Sequence, residues 1–162
     1  MARKKALMKK VKREYRLYIL MRNDLPSLNA GKAMAQAAHA ANCLTAEWGH
    51  LTEVKDWCNR KHQFGTTIVL AVDKDTLIHT IKRAQMRDGT VPYGPVWDET
   101  YPFMTTPEIA ELIPKSKFTA PMIWNSSDRV VLFRKEITCG YVFVLEGTSD
   151  QKELVGDLPL HP

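Results

Sequence analysis

Long apolar runs are missing from this 162-residue chain: even Leu17–Met21 is closed off by Arg16 and Arg22, far short of the roughly 18 uninterrupted residues that a spanning helix needs. A soluble protein is expected, and the cytoplasm is its expected compartment. Cysteine is scarce. Cys43, Cys58 and Cys139 are odd in number and form no Cys-x-x-Cys pair, which excludes a disulfide framework and a zinc knuckle. Each reads as a small buried apolar residue in a reducing environment. Internal repeats are absent, and so is low-complexity sequence outside the first residues, so a solenoid or a long linker is excluded. The Gly31-Lys32 pair lacks the glycine spacing and the Ser or Thr of a P-loop, which removes an NTPase reading.

The chain has enough for one ordinary core, with 44% hydrophobic residues at a single-domain length. Its charge is unevenly placed. Residues 1–16 hold eight Lys or Arg against Glu14 alone, a net of +7, so the other 146 residues carry −2 of the overall +5. Closely spaced cations on a near-neutral body suit a phosphate-seeking arm, because they release counterions together. A solubilising terminus without a partner is the plain alternative, and an Arg-rich targeting segment is a third.

Arg16–Arg22 is a continuous apolar run between arginines, the pattern of a central strand covered on both faces. Asn29 can cap a helix from Ala30 to Cys43 or beyond, and its alanines allow close approach to a sheet. Leu51, Val54, Trp57 and Cys58 predict a second helix, and Thr66–Val72 a second strand. Asp73 or Asp75 can cap a helix carrying Leu77, Ile81 and Ala84, stopped by Gly89; an extended stretch follows at Pro95–Trp97. Residues 99–125 are pattern-poor and proline-rich, an excursion with one short helix at Pro107–Ile113. Arg129–Arg134 and Gly140–Leu145 predict two strands joined through a turn around Lys135–Thr138. Ser149 and Asp150 can cap a last helix over Gln151–Val155. The sum is an α/β fold, a three-layer sandwich in which a mixed, mainly four-stranded sheet has helices on both faces. Residues 1–14 form the basic arm and 15–162 one domain, with an insertion at about 99–128.

Lys32, Gln36 and His39 stand at i, i+4 and i+7 of the first helix and share a face lined by alanines. A cation, an amide and an imidazole in a row fit a cleft better than an apolar sheet. Lys32 also lies in the first turn, where free N–H groups and the helix dipole favour a phosphate or an oxyanion. Taken singly, each has a plain role: a solvated lysine, a glutamine fixing a loop, a structural histidine.

Read together with the strand before it, Arg22-x-Asp24-Leu25, a short loop, then Gly31-Lys32-x-x-Ala35-Gln36-x-x-His39-Ala40 resembles the signature of the type 2 peptidyl-tRNA hydrolase family. Weaker likenesses follow in order at Gly65–Val72, Val96-Trp97-Asp98 and Leu154–Leu160. The resemblance implies a compact α/β fold around a four-stranded mixed sheet and no metal or other cofactor. It also implies a role in translation, hydrolysing the ester that joins a peptide to the terminal ribose of tRNA. Departures accompany it. The family's threonine after the aspartate is missing, since Asp98 leads into Glu99-Thr100-Tyr101-Pro102. Thr100 or Thr105 substitutes only if the loop bends differently. About thirty-five residues then precede the last core strand, where Thr138 stands for the family's hydroxyl.

On this reading Asp98 orients or deprotonates water, Lys32 stabilises the oxyanion or the terminal phosphate, Gln36 donates to the carbonyl or fixes the water, and His39 supports Asp98 or shuttles a proton. Arg22 and Gly31, with Lys9, Lys10 and Arg13 of the arm, are the expected tRNA contacts. Partners are tRNA and no membrane, with a homodimer left open. A non-catalytic RNA-binding relative is the rival reading, favoured by the missing threonine. A third makes residues 99–128 a docking element with Tyr101, Phe103, Phe118 and Trp124 as anchors, against the plainer view that these aromatics cover the core.

Overall fold

A computed structural model of the chain describes residues 13–59, 65–117, 120–123 and 129–162, with 120–123 given by their backbone. The basic residues Lys9 and Lys10 and the aromatics Phe118 and Trp124 lie outside the described residues. Strand β1 (Tyr15–Arg22) pairs in parallel with β2 (Thr67–Val72), the two being joined by helices α1 (Ala30–Trp48) and α2 (Thr52–Cys58). Helix α3 (Lys74–Gln85) leads to β3 (Tyr93–Thr105), followed by α4 (Pro107–Leu112), β4 (Ala120–Ile123), β5 (Val130–Leu145) and α5 (Ser149–Val155). The order β2-β1-β5-β3 makes a mixed sheet, with β5 antiparallel to both neighbours and β4 a fifth strand beside β5. The expected α/β sandwich is the fold observed.

Side-chain alternation sorts the strands into two cores. Leu17, Ile19 and Met21 join Cys139, Tyr141 and Phe143 beneath α1 and α2, while Tyr18, Leu20, Leu70 and Val72 pack with Leu77, Ala84 and Leu154 of α3 and α5. Full burial of one such side chain is worth about 1.5–3 kcal/mol, so these two clusters dominate the stabilising side. Alanines on α1 bring its axis close: Ala40 is buried and Ala33, Ala37 and Ala41 pack against the sheet. At Gly65 a Cβ would come within 1.9 Å of the Trp57 ring, which is itself set edge-on to Phe143, so only glycine lets this chain pass.

Helix starts follow side-chain capping. The Asn29 carboxamide accepts from the Lys32 amide at 3.0 Å, as its position predicts, and Asp73 accepts from Thr76 at 2.8 Å. At α5 the cap is Thr148, one residue before the expected Ser149, because its hydroxyl reaches the Gln151 amide.

Two expectations are corrected. The 99–125 excursion does not begin at Glu99: β3 continues through Thr105, paired with Val130–Arg134. Pro102 is tolerated because β3 is an edge strand, where a missing N–H leaves no ladder bond unmade. The turn around Lys135–Thr138 does not exist either, since Val130–Leu145 is one sixteen-residue strand. The charges in this stretch are neutralised sideways, Lys135 by Glu99 and Arg134 by Glu136.

The β3–β5 ladder is irregular at two points. Val96 opposes Cys139 but Trp97 opposes Ile137, so Thr138 is an extra residue in β5; Asp98 opposes Glu136 but Tyr101 opposes Arg134, so β3 carries the extra residue next. The two bulges compensate. Bulges re-aim side chains, and these bracket Asp98.

Candidate active site

Helix α1, β3 and β5 meet where those bulges lie. Val96 belongs to the core under α1, so Asp98, two residues on, shares that face, and its cross-strand partner Glu136 shares it too. From the helix, Gln36 reaches down: its side-chain oxygen accepts from Thr138 Oγ1 at 2.8 Å, and its backbone carbonyl accepts from the Cys139 thiol at 3.4 Å. The bulge is what lets Thr138 and Cys139 both turn toward α1. Thr138 is fully buried, and its hydroxyl also lies 3.4 Å from the Val96 carbonyl oxygen.

Asp98 is half-buried. Its Oδ1 accepts from the Thr100 amide at 2.9 Å and from the Thr100 hydroxyl at 3.3 Å. The bulge in β3 thus supplies the bend by which Thr100 comes to the aspartate. Lys32 Nζ lies over the Tyr101 ring, 5.8 Å from its centroid. His39 is exposed and has no hydrogen-bond partner among the described residues. Lys32 and Gln36 therefore meet the sheet, whereas His39 stands at the open rim. Gly31 is exposed in the first turn of α1.

Arg22 is only 4% exposed, and four of its five N–H donors are engaged within the protein: two on Asp24 at 2.7 and 2.9 Å, one on Glu136 at 2.8 Å and one on the Ile137 carbonyl at 2.9 Å. It fills the gap on β5 between the end of β1 and β4, and so builds the floor of the site. Arg13 lies at the other end of β1, roughly 25–30 Å from Arg22 at the rise of an extended chain.

Sequence reasoning missed Glu136, the hub of this floor. Besides Arg22 it holds Lys74 Nζ at 2.9 Å and Arg134 Nη2 at 2.8 Å. The available signal was one acid in β-alternation with Arg134, which the expected turn concealed. Burial pushes the Glu136 carboxyl up, but the hydrogen bond from Lys74, the charge of Arg134 and the bond from Arg22 outweigh it and hold the group below its ordinary value. The Asp24 carboxyl is likewise held low, first by its hydrogen bond from Arg22. A carboxyl depressed in the folded state adds stability that is complete above its unfolded value, 4.5 for Glu136, and is lost as pH falls through the folded value. The urea midpoint is therefore expected to drop as pH is lowered from 5.5 to 3. A midpoint flat across that window would mean these carboxyls titrate normally in the fold.

Burial, followed by the neighbouring Cys43, pushes the Cys139 thiol up to about 12, which leaves it no nucleophile at neutral pH. Among the described residues no cluster of His, Cys, Asp and Glu could hold a metal ion, and no helix is long and apolar enough to cross a membrane.

Arg22 and Asp24 also line a cleft of about 920 Å³, bounded further by Leu25–Ser27, Lys32, Tyr101–Met104 and the start of β5; Gln36, Asp98, Glu136 and Thr138 are not among its lining residues. The model of the family described as peptidyl-tRNA hydrolase PTH2 matches residues 15–109. The chain belongs to this family. The match takes in β1, α1, β2, α3 and β3, and so Lys32, Gln36 and Asp98, while Thr138 and Glu136 lie beyond it. Hydrolysis of peptidyl-tRNA is the activity of the family as a whole. No curated protein matches the chain.

Proposed function

We propose that this chain hydrolyses the ester of peptidyl-tRNA, or of N-blocked aminoacyl-tRNA, releasing tRNA and peptide, with residues 15–162 as the catalytic domain and 1–14 as an RNA-seeking arm. The observation that supports this most is the 2.8 Å bond from Thr138 to Gln36, which ties the Gly31–Ala40 motif to the bulged strand opposite Asp98. With its carbonyl oxygen engaged by Thr138, the Gln36 amide is left to donate outward to the substrate carbonyl. Lys32, above Tyr101, supplies the second donor for the oxyanion.

Asp98 takes a proton from a water whose oxygen bonds to the ester carbonyl carbon. The electron pair of the carbonyl moves to its oxygen, against Lys32 and Gln36. Its return breaks the bond to the ribose oxygen, which receives a proton from Asp98, or through His39, whose exposure suits exchange with solvent. Thr100 holds one Asp98 oxygen and so fixes the direction of the other. Arg22 acts through Glu136 and Asp24, as a residue that positions the floor rather than one that grips phosphate.

The test is single-turnover release of tRNA from N-blocked aminoacyl-tRNA. The intact chain is expected to turn over, and Lys32→Ala to lose about 10²–10³-fold, the usual effect of one oxyanion donor. Tyr101 keeps its burial under strand pairing in that variant, so its melting temperature should hold. Absence of turnover in the intact chain, with salt-sensitive tRNA binding retained, would instead identify a non-catalytic RNA-binding relative.

The arm is a separable part of this reading. Each phosphate contacted adds roughly 0.7–0.9 to the slope of log affinity against log salt, so deleting residues 2–13 should flatten that slope by several units. An unchanged slope would remove Lys9, Lys10 and Arg13 from the RNA site while leaving the hydrolytic centre as proposed.

A further inference from the structure

We infer that Tyr101 is a further catalytic residue of the hydrolytic centre: its phenol donates a hydrogen bond to the carbonyl oxygen of the ester as that oxygen becomes an anion. This rests on the proposed hydrolysis, and adds to it a third donor, supplied by β3.

Strand register brings Tyr101 to the side of the sheet where the chemistry is placed. It stands three residues after Asp98, a spacing that in a regular strand puts two side chains on opposite faces. The bulge in β3 changes this. Asp98 opposes Glu136 and Tyr101 opposes Arg134, two residues away, so both side chains lie on the face that meets α1. The Ser27 hydroxyl, donating to the Pro102 carbonyl at 3.2 Å, ties this part of β3 to the loop that leads into α1. Lys32 follows that loop, and its Nζ stands over the Tyr101 ring, 5.8 Å from the centroid. A hydroxyl on the ring's rim and an ammonium above its centre are separated by about the span of two hydrogen bonds converging on one oxygen.

The phenol itself is unsatisfied. Tyr101 is 2% exposed, and its hydroxyl has no partner among the described residues. Such a group is costly, and phenylalanine would fill the same space without that cost. Neither basic neighbour offers an acceptor, because Lys32 and Arg134 are donors only. The Arg134 guanidinium lies over Phe103, 4.9 Å from the centroid, with Nη2 on Glu136, and its buried Nε is unmet as well, so the cross-strand pair do not satisfy one another. An idle donor beside two cations suits one event, the appearance of negative charge on a nearby oxygen. Lys32 rests over the ring in the free protein, and its flexible stem lets the ammonium swing to the arriving carbonyl and clear the phenol. The phenol keeps its proton throughout. It bonds to the oxyanion while the carbonyl electron pair is on oxygen, and lets go when that pair returns and the bond to ribose breaks.

The experiment is Tyr101→Phe in the full chain, read by steady-state hydrolysis of N-blocked aminoacyl-tRNA, by melting temperature, and by affinity for two adenosine 3′-derivatives, a phosphonate that carries the tetrahedral anion and a planar amide. The kcat is expected to fall about 10²-fold, the effect of one oxyanion donor, with KM close to that of the parent. The variant should melt no lower than the parent. Phosphonate binding should weaken by about tenfold while amide binding is kept, since the bond is made only to the developing anion. A tyrosine that merely packs would leave kcat and phosphonate binding where they were. Combined with Lys32→Ala, the loss should be smaller than the product of the two single losses, because both donors serve one oxygen. A kcat close to the parent's, a loss confined to KM, or equal weakening of both derivatives overturns the assignment of Tyr101 and leaves the hydrolase standing. No turnover in the intact chain removes the hydrolase, and the catalytic role of Tyr101 with it.

Discussion

Asp98→Asn is expected to slow single-turnover ester hydrolysis by about 10²–10⁴-fold, the range for loss of a positioned general base. The substitution is chosen for what it retains. An amide oxygen still accepts from the Thr100 amide and hydroxyl, so the bulge in β3 keeps its local bonds at 2.9 and 3.3 Å. What disappears is the negative charge and the capacity to take a proton from water. The melting temperature should therefore stay close to that of the parent while the rate falls. Asp98→Glu makes the complementary check, since it keeps the base but moves it by a methylene, and a partial recovery is expected. If Asp98→Asn turns over within a few-fold of the parent, Asp98 only shapes the strand. The base would then have to be sought elsewhere, with His39 next in line.

The loss at Asp98 and the smaller one at Lys32 should not add like independent sites. Both act on the same transition state, so removal of the base leaves less developing charge for Lys32 to stabilise. The double variant is expected to lose clearly less than the product of the single losses. Full multiplication would place the two groups on separate steps.

How much of this was legible beforehand depended on sequence distance. The helix that carries Lys32 and Gln36 announces itself locally, through Asn29 at its start, alanines along it and fixed spacing on one face. The same is true of β1, whose apolar run has only one reading at that length. Thr138 was reachable only by resemblance, because its role depends on a bulge, and a bulge is a matter of register between two strands. For the hub at Glu136 the local pattern offered only an acid in β-alternation with Arg134, and nothing of its long-range partners. Its partners Arg22 and Lys74 lie 114 and 62 residues away in sequence, and nothing near Glu136 signals them. Charged residues at 134–136 have low intrinsic preference for a strand, and tertiary pairing overrode it. The extension of β3 through Pro102 was missed for a similar reason: a proline breaks a central strand but not an edge.

Glu136→Ala is expected to lower folding stability by about 3–5 kcal/mol, the cost of removing one partner of a buried ion pair, even though Arg22 keeps its bonds to Asp24. Against the roughly 5–15 kcal/mol that holds a domain of this size together, that is enough to leave part of the protein unfolded near its working temperature. The argument turns on where each cation sits. Arg22 is as buried as the carboxylate, so the Arg22–Glu136 contact at 2.8 Å lies where water cannot replace the lost acceptor. Lys74 meets the same oxygen at 2.9 Å but is nearly half exposed, and solvent can take its place. Lys74→Met should accordingly cost no more than about 1 kcal/mol, although its distance to Glu136 is almost the same. Glu136→Gln keeps the volume and one acceptor oxygen, and should fall between the two. Denaturant unfolding of the three variants decides it. If Glu136→Ala and Lys74→Met prove equally mild, Asp24 and the Ile137 carbonyl suffice to hold Arg22, and the floor of the cleft rests on the Arg22–Asp24 pair instead.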